Sequence, residues 1–211
     1  MEKLQAAGIY VLFGLTSTTP AEATMNSWNY IQQNNFTRLL DNLRHFENVM
    51  GFFFPPSDSS KPQSLPFVRA AAREMKSYIK NKGYRSIPIG YMGTDHGSKA
   101  TSVFLNCGEQ ISAIDFYGII PHPSCSDVSS AQPFLEHLAS QYSSYSVPTF
   151  LFKFICPASD PQEHYRDLQY LYGNNVSRVF SGGVAAFFLE SRVEGVPEPG
   201  MISKMMMKIP F

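Results

Sequence analysis

An α/β fold built on a parallel sheet is what this sequence predicts, and three observations predict it. Short apolar runs with strand character recur six times along the 211 residues. Helix-patterned segments separate several of them, and that αβαβ rhythm is the signature of a parallel sheet. The longest Pro/Ser-rich connectors, Pro55 to Pro66 and Pro121 to Pro133, follow the second and fourth runs, so they lie at carboxyl ends of strands. In an α/β barrel that rim is where chemistry sits.

The elements follow in order. Met1 to Ala7 reads as the end of a helix with Gly8 as its C-cap, and the first strand runs from Ile9 to Leu15. The same stretch, with Lys3, the apolar run Ala6 to Leu15 and Ala21-Glu22-Ala23, imitates a signal peptide, but the helix-and-strand reading accounts for it better. In "WNYIQQNNFTRLLDNLRHFENV", Ile31, Leu39, Leu40, Leu43 and Phe46 fall at helical spacing. The second strand is Val49 to Phe54. "PFVRAAAREMKSYIKNKGY" opens with Pro66 and stops at Gly83, as an amphipathic helix does. The remaining strands are Ser86 to Tyr91, Ile114 to Ile119, Thr149 to Cys156 and Gly182 to Leu189. No internal repeat is present. One domain, residues 1–193, is expected, followed by a tail over 194–211. In that tail "PEPG" and "MISKMMMKIPF" lose the alternation, and the Met cluster reads as packing material.

Composition narrows the function classes. With 44% hydrophobic and 14% aromatic residues the chain has ample material for a core. Lys+Arg and Asp+Glu balance at 17 each, with no basic block, which points away from nucleic acid and anionic membranes. No stretch is long and apolar enough to span a bilayer. Cys107, Cys125 and Cys156 lack metal-ligand spacing with histidine, so neither a metal nor any other cofactor is expected; an odd count fits one disulfide and one free thiol. Asn35-Phe36-Thr37 and Asn175-Val176-Ser177 are glycosylation sequons, meaningful only in a secreted chain.

One residue breaks the pattern. In "TFLFKFICP", Phe150, Leu151, Phe152, Phe154 and Ile155 are strand residues of the doubly covered kind, yet Lys153 sits in their midst. An ammonium removed from water costs several kcal/mol unless it is paired or loses its proton. The position therefore needs a partner, a wet pocket or another explanation.

The segments "KLQAAGIYVL", "ENVMGFFF", "PFVRAAAREMKSYIKNKGYRSIPIGY", "FLNCG", "IDFYG", "YSVPTFLFKFIC" and "VFSGGVAAFFLE" occur in one order from about Leu4 to Glu190. Taken together they resemble the fungal β-1,3-glucanosyltransferases, glycoside hydrolase family seventy-two. The resemblance implies a (β/α)8 TIM-barrel-like fold and a retaining transglycosylation of cell-wall β-1,3-glucan. In that mechanism two carboxyl groups stand about 5 to 5.5 Å apart, one as acid/base and one as nucleophile. It also implies that six of the eight strands are represented here and that the first two are missing. Such a barrel has open edges, and self-association through them is expected.

Carried over residue by residue, the resemblance leaves both catalytic positions empty of glutamate. The family's Asn-Glu pair falls on Pro56 and Ser57, and its nucleophile falls on Lys153 in Phe152-Lys153-Phe154-Ile155-Cys156. Lys153 is thus explained as the occupant of a position that the fold points into a wet cleft. No catalytic residue is assigned. Asp58 lies one residue past the acid/base position, and on extended backbone it points away. A neutral Lys153 acting as a Schiff-base nucleophile has no supporting motif around it.

The sugar cleft is also altered. The family's Tyr- and Trp-bearing segment reads Ile119-Ile120-Pro121-His122-Pro123-Ser124-Cys125 here, and two tyrosines of its last strand correspond to Ala186 and Phe188. His122 reads as a solvated loop histidine. Tyr91, Tyr117 and Glu190 are the remaining substrate-binding candidates, although Asp115, Tyr117 and Glu190 also read as scaffold residues at strand ends. The resemblance implies a Cys125–Cys156 disulfide and leaves Cys107 as a free thiol. The family is secreted and carries a glycolipid anchor, but neither signal is evident in this sequence. Three readings follow: a catalytically inactive relative with weak or lost glucan binding, an active transferase with relocated carboxylates, and a non-catalytic glucan-binding or interaction protein.

Overall fold

Six parallel strands hydrogen-bond in strict sequence order to form a curled half-barrel, with helices between them. The structure, a computed structural model, describes residues 1–15, 27–56, 64–95, 98–121, 131–152 and 168–184. The strands are β1 (Val11–Gly14), β2 (Val49–Phe54), β3 (Ile89–Thr94), β4 (Tyr117–Ile120), β5 (Thr149–Phe152) and β6 (Gly183–Val184). The helices are α1 (Glu2–Ala6), α2 (Tyr30–Leu43), α3 (Leu65–Asn81), α4 (Ser98–Asn106), α5 (Ala131–Tyr142), α6 (Leu168–Leu171) and α7 (Asn174–Ser177). Each neighbouring strand pair is parallel, from Val11 opposite Val49 to Phe152 opposite Val184. Sequential parallel strands joined by helices leave every strand's carboxyl end on one rim.

Local chemistry sets the element ends. Gly8 and Gly83 take φ values of 68° and 66°, so both helix stops expected at these glycines are realised in the left-handed conformation that L-residues avoid. Pro66 lies in the first turn of α3, where its missing N–H costs nothing. The third strand begins three residues later than its apolar run suggests. Proline has no N–H to give a ladder, and Pro88 contributes only its carbonyl, which accepts from the Phe52 N–H at 2.9 Å. The fourth strand is likewise delayed. Asp115 adds a side-chain clamp to its backbone bond with Ile89, whose carbonyl accepts from the Asp115 N–H at 2.8 Å: its Oδ2 accepts from the Ile89 N–H at 2.8 Å and its Oδ1 from Lys76 Nζ at 2.7 Å. Lys76 also donates to the Ala113 carbonyl at 2.6 Å, which ties α3 to the approach to β4.

Period-two alternation divides the apolar side chains into two layers. Leu12, Phe53, Met92, Phe116, Phe150, Phe152 and Val184 cluster on the inner, concave face. Phe52, Phe54, Ile89, Tyr91, Tyr117, Ile119 and Leu151 point outward, packing with Phe36, Leu40, Val68, Met75 and Leu135 from the helices. A register shift between Val11 and Leu12 places one extra β2 residue opposite β1.

The α2 helix keeps its expected face at Leu39, Leu40 and Leu43, and Phe46 beyond its end packs on the core too, but its first turn departs from it. Ile31 was expected on the apolar stripe but is 69% exposed, while Gln32 is buried beside Phe36 and Leu40. The cause is a capping box. Asn29 Oδ1 accepts from the Ile31 and Gln32 N–H groups at 3.0 and 3.1 Å, and Gln32 Oε1 accepts from the Asn29 N–H at 3.2 Å. Locking Gln32 inward turns Ile31 out.

Candidate functional site

The rim at the strands' carboxyl ends carries the candidate site. Its described residues are Leu15 after β1, Pro55 and Pro56 after β2, Thr94 and Asp95 at the end of β3, Ile120 and Pro121 at β4, and Phe152 at β5. The Asp95 N–H donates to the Ile120 carbonyl at 3.1 Å, which fixes this residue on the rim between β3 and β4. Asp95 is half-buried. Sequence reasoning passed over it, although a charged residue directly after an apolar strand was a usable signal.

The two residues that the resemblance sets at catalytic positions adjoin this rim in sequence. Ser57 follows Pro56 and Lys153 follows Phe152, but both lie outside the described residues. Asp58, His122, Cys125, Cys156, Ala186, Phe188 and Glu190 lie outside them too, as does the tail over 194–211. Among the described residues no group of three or more His, Cys, Asp or Glu side chains is placed to hold a metal ion. None of their helices is long and apolar enough to cross a membrane.

Tyr91 and Tyr117, expected at a sugar-binding surface, are placed elsewhere. They are 2% and 0% exposed and belong to the helix-facing layer, with ring centroids 5.9 Å apart. Tyr117 opens β4, so it sits at the end of the sheet opposite the rim. Its ring stacks on Tyr142 at 6.1 Å and meets Tyr145 edge-on at 6.3 Å. Burial, with the neighbouring phenols adding to it, raises the Tyr117 hydroxyl well above its ordinary pKa of 10. The physical reason for the correction is parity: Phe116 takes the concave face, so its neighbour must take the other. Asp115 is a scaffold residue, engaged by Lys76 and the Ile89 N–H as described.

Cys107 is a free, exposed thiol, as expected. Arg69 reaches it from α3, with Nη1 3.1 Å from Sγ and Nη2 donating to the Cys107 carbonyl at 2.7 Å.

Comparison with known proteins gives this geometry its context. The glucanosyltransferase family model matches residues 1–196. A 1,3-beta-glucanosyltransferase of Arthroderma benhamiae is 30% identical over 99% of this chain and 42% of its own length. The 1,3-beta-glucanosyltransferase gas1 of Schizosaccharomyces pombe is 31% identical over 92% of this chain and 37% of its own. The chain therefore spans about two fifths of the length of such relatives. Among solved structures, a mutant of Saccharomyces cerevisiae Gas2p in complex with laminaritetraose and laminaripentaose superposes with a TM-score of 0.80 at 29% identity, covering 90% of this chain and 44% of that one. A six-stranded parallel half-barrel with this order, matched along its length by model, sequence and structure, leaves one assignment: the chain belongs to the glucanosyltransferase family, glycoside hydrolase family seventy-two.

Proposed function

We propose that this chain is a catalytically silent glucanosyltransferase relative that keeps an affinity for β-1,3-glucan without transferring it. What carries the reading is the pair of residues that the resemblance sets at the catalytic positions, serine at 57 and lysine at 153. A serine hydroxyl has no useful acidity near neutral pH, so it cannot protonate a leaving oxygen. The lysine acts with the wrong sign. At about 5 Å and an effective dielectric of about 20, a unit positive charge opposes an oxocarbenium-like transition state by roughly 3 kcal/mol, where a carboxylate would favour it.

Glucan is the ligand proposed because the Gas2p structures that this chain resembles hold laminari-oligosaccharides. Binding such a chain needs a wet rim with polar groups, not a nucleophile, and Thr94 and Asp95 supply polar groups there.

The test is a thermal melt of the purified chain with laminaripentaose, paired with product analysis after prolonged incubation. Ligand that binds only the folded state raises the midpoint. The expected result is an upward shift with the pentaose chain length unchanged. New chain lengths that disappear in Asp95→Asn would overturn silence in favour of relocated carboxylates, and an unshifted melt would remove the glucan.

A further inference from the structure

We infer that Asn175 is the N-glycan acceptor of this chain when it enters a secretory lumen, and that Asn35 is not. The chain carries two Asn-X-Ser/Thr triplets, which are equal as motifs. The fold makes them unequal.

Asn35 lies inside the 14-residue helix α2. Its neighbour Phe36 is 2% exposed and packs between Trp28 and Phe54, with ring centroids 5.7 and 6.0 Å away. The third residue of the triplet, Thr37, spends its hydroxyl on the Asn34 carbonyl at 3.1 Å. Asn35 itself is only partly exposed. A glycan here stands on a helix whose opposite side is locked into the core, and drawing the triplet out of the helix exposes Phe36.

Asn175 and Ser177 are both exposed, on the single turn α7. Val176 between them is buried, but a four-residue turn entered through Gly173 is reformed far more cheaply than the middle of a long helix. The Asn175 amide points along the outer surface of α5, with Nδ2 3.4 Å from Glu136 Oε1. In the transfer, Nδ2 bonds to the anomeric carbon of a lipid-linked oligosaccharyl diphosphate. The lipid diphosphate leaves with the bonding electron pair, and the amide gives up one proton. The remaining N–H can still donate to Glu136, so the local contact survives the modification.

Position favours this acceptor as well. Because α7 leads into β6, it lies at the amino-terminal end of that strand, away from the rim at the carboxyl ends. A bulky sugar at Asn175 therefore leaves the candidate site open.

The experiment expresses the full chain behind a secretory leader in yeast and reads its mobility before and after endoglycosidase H. The expected result is a single glycan-dependent shift that is lost in Asn175→Gln and kept in Asn35→Gln. Ser177→Ala, which leaves the asparagine in place, removes the same shift and guards against a folding defect in the Asn175 variant. An unshifted parent chain, a shift that survives Asn175→Gln, or one lost in Asn35→Gln would overturn the assignment.

Discussion

Tyr117 shows how tightly single residues are fixed in the helix-facing layer. Its hydroxyl lies against the backbone of Gly93, so a methyl group there meets the phenol oxygen directly. Gly93→Ala must push a fully buried ring that is already flanked by Tyr91, Tyr142 and Tyr145. Overpacking of this kind costs about 1–3 kcal/mol, which a lower denaturant midpoint at unchanged slope will reveal. A second tyrosine group makes a pH prediction. Tyr78 and Tyr84 both donate to Asp41, at 2.9 Å each in their shorter contacts. Desolvation and that carboxylate lift Tyr78 to about 12, and the same hydrogen bond raises Tyr84. An unfolded chain releases such protons near pH 10, whereas the folded chain holds them longer. Stability from this source is intact below pH 10 and is lost as pH rises from 10 towards about 12. Titration followed by tyrosinate absorbance and unfolding together should show these phenols ionising late, with unfolding. Loss of the late phase in Asp41→Asn would confirm the cause, and its persistence would refute it.

At the level of elements, legibility tracked the range of the force that sets each boundary. The second strand was read residue for residue because "VMGFFF" is apolar, β-prone and bounded by its own neighbours. The stops at Gly8 and Gly83 were equally local. The delayed starts of β3 and β4 were not, since they depend on where the Pro88 carbonyl meets β2 and where Lys76 meets Asp115. Helix α2 lies between these cases. Its extent and the face carrying Leu39, Leu40 and Leu43 were legible, but its first turn was decided by the reciprocal Asn29–Gln32 capping box, which a count of apolar residues ignores. Asn29→Ala removes the acceptor for two N–H groups and should cost about 1 kcal/mol. The loss should also release Gln32 from its buried position. A variant with Gln32→Leu tests that second part: if the cap alone matters, it will lose stability despite the added apolar burial.

For the whole molecule, the fold was legible because a strand-and-helix rhythm carries through the chain, whereas the site could be read only through the family resemblance. The resemblance sets Lys153 and Ser57 at catalytic positions, but the parity that sends Tyr91 and Tyr117 outward could not be read from their identities. Alternation says that neighbours face opposite ways, and only the sheet's curvature says which way is in. This distinction bears on repair. Restoring both carboxyl groups, with Ser57→Glu and Lys153→Glu, supplies the residue types that retaining chemistry needs but not their environment. The acid must be held protonated by its surroundings, and the two groups must stand about 5 to 5.5 Å apart across a sugar ring that the cleft distorts and holds. The resemblance sets Ile119 to Cys125 against the family's ring-bearing segment and Ala186 and Phe188 against two of its tyrosines, so under the proposed silence these sugar contacts are lost as well. The double variant should therefore yield no change in laminaripentaose chain length, even if its melt still responds to the sugar. Appearance of longer and shorter oligosaccharides would locate the proposed inactivity in two side chains and show that the remainder of the cleft had kept its shape. A pentaose response without transfer would instead separate holding the glucan from reacting with it, and assign the proposed loss of chemistry to the cleft as a whole.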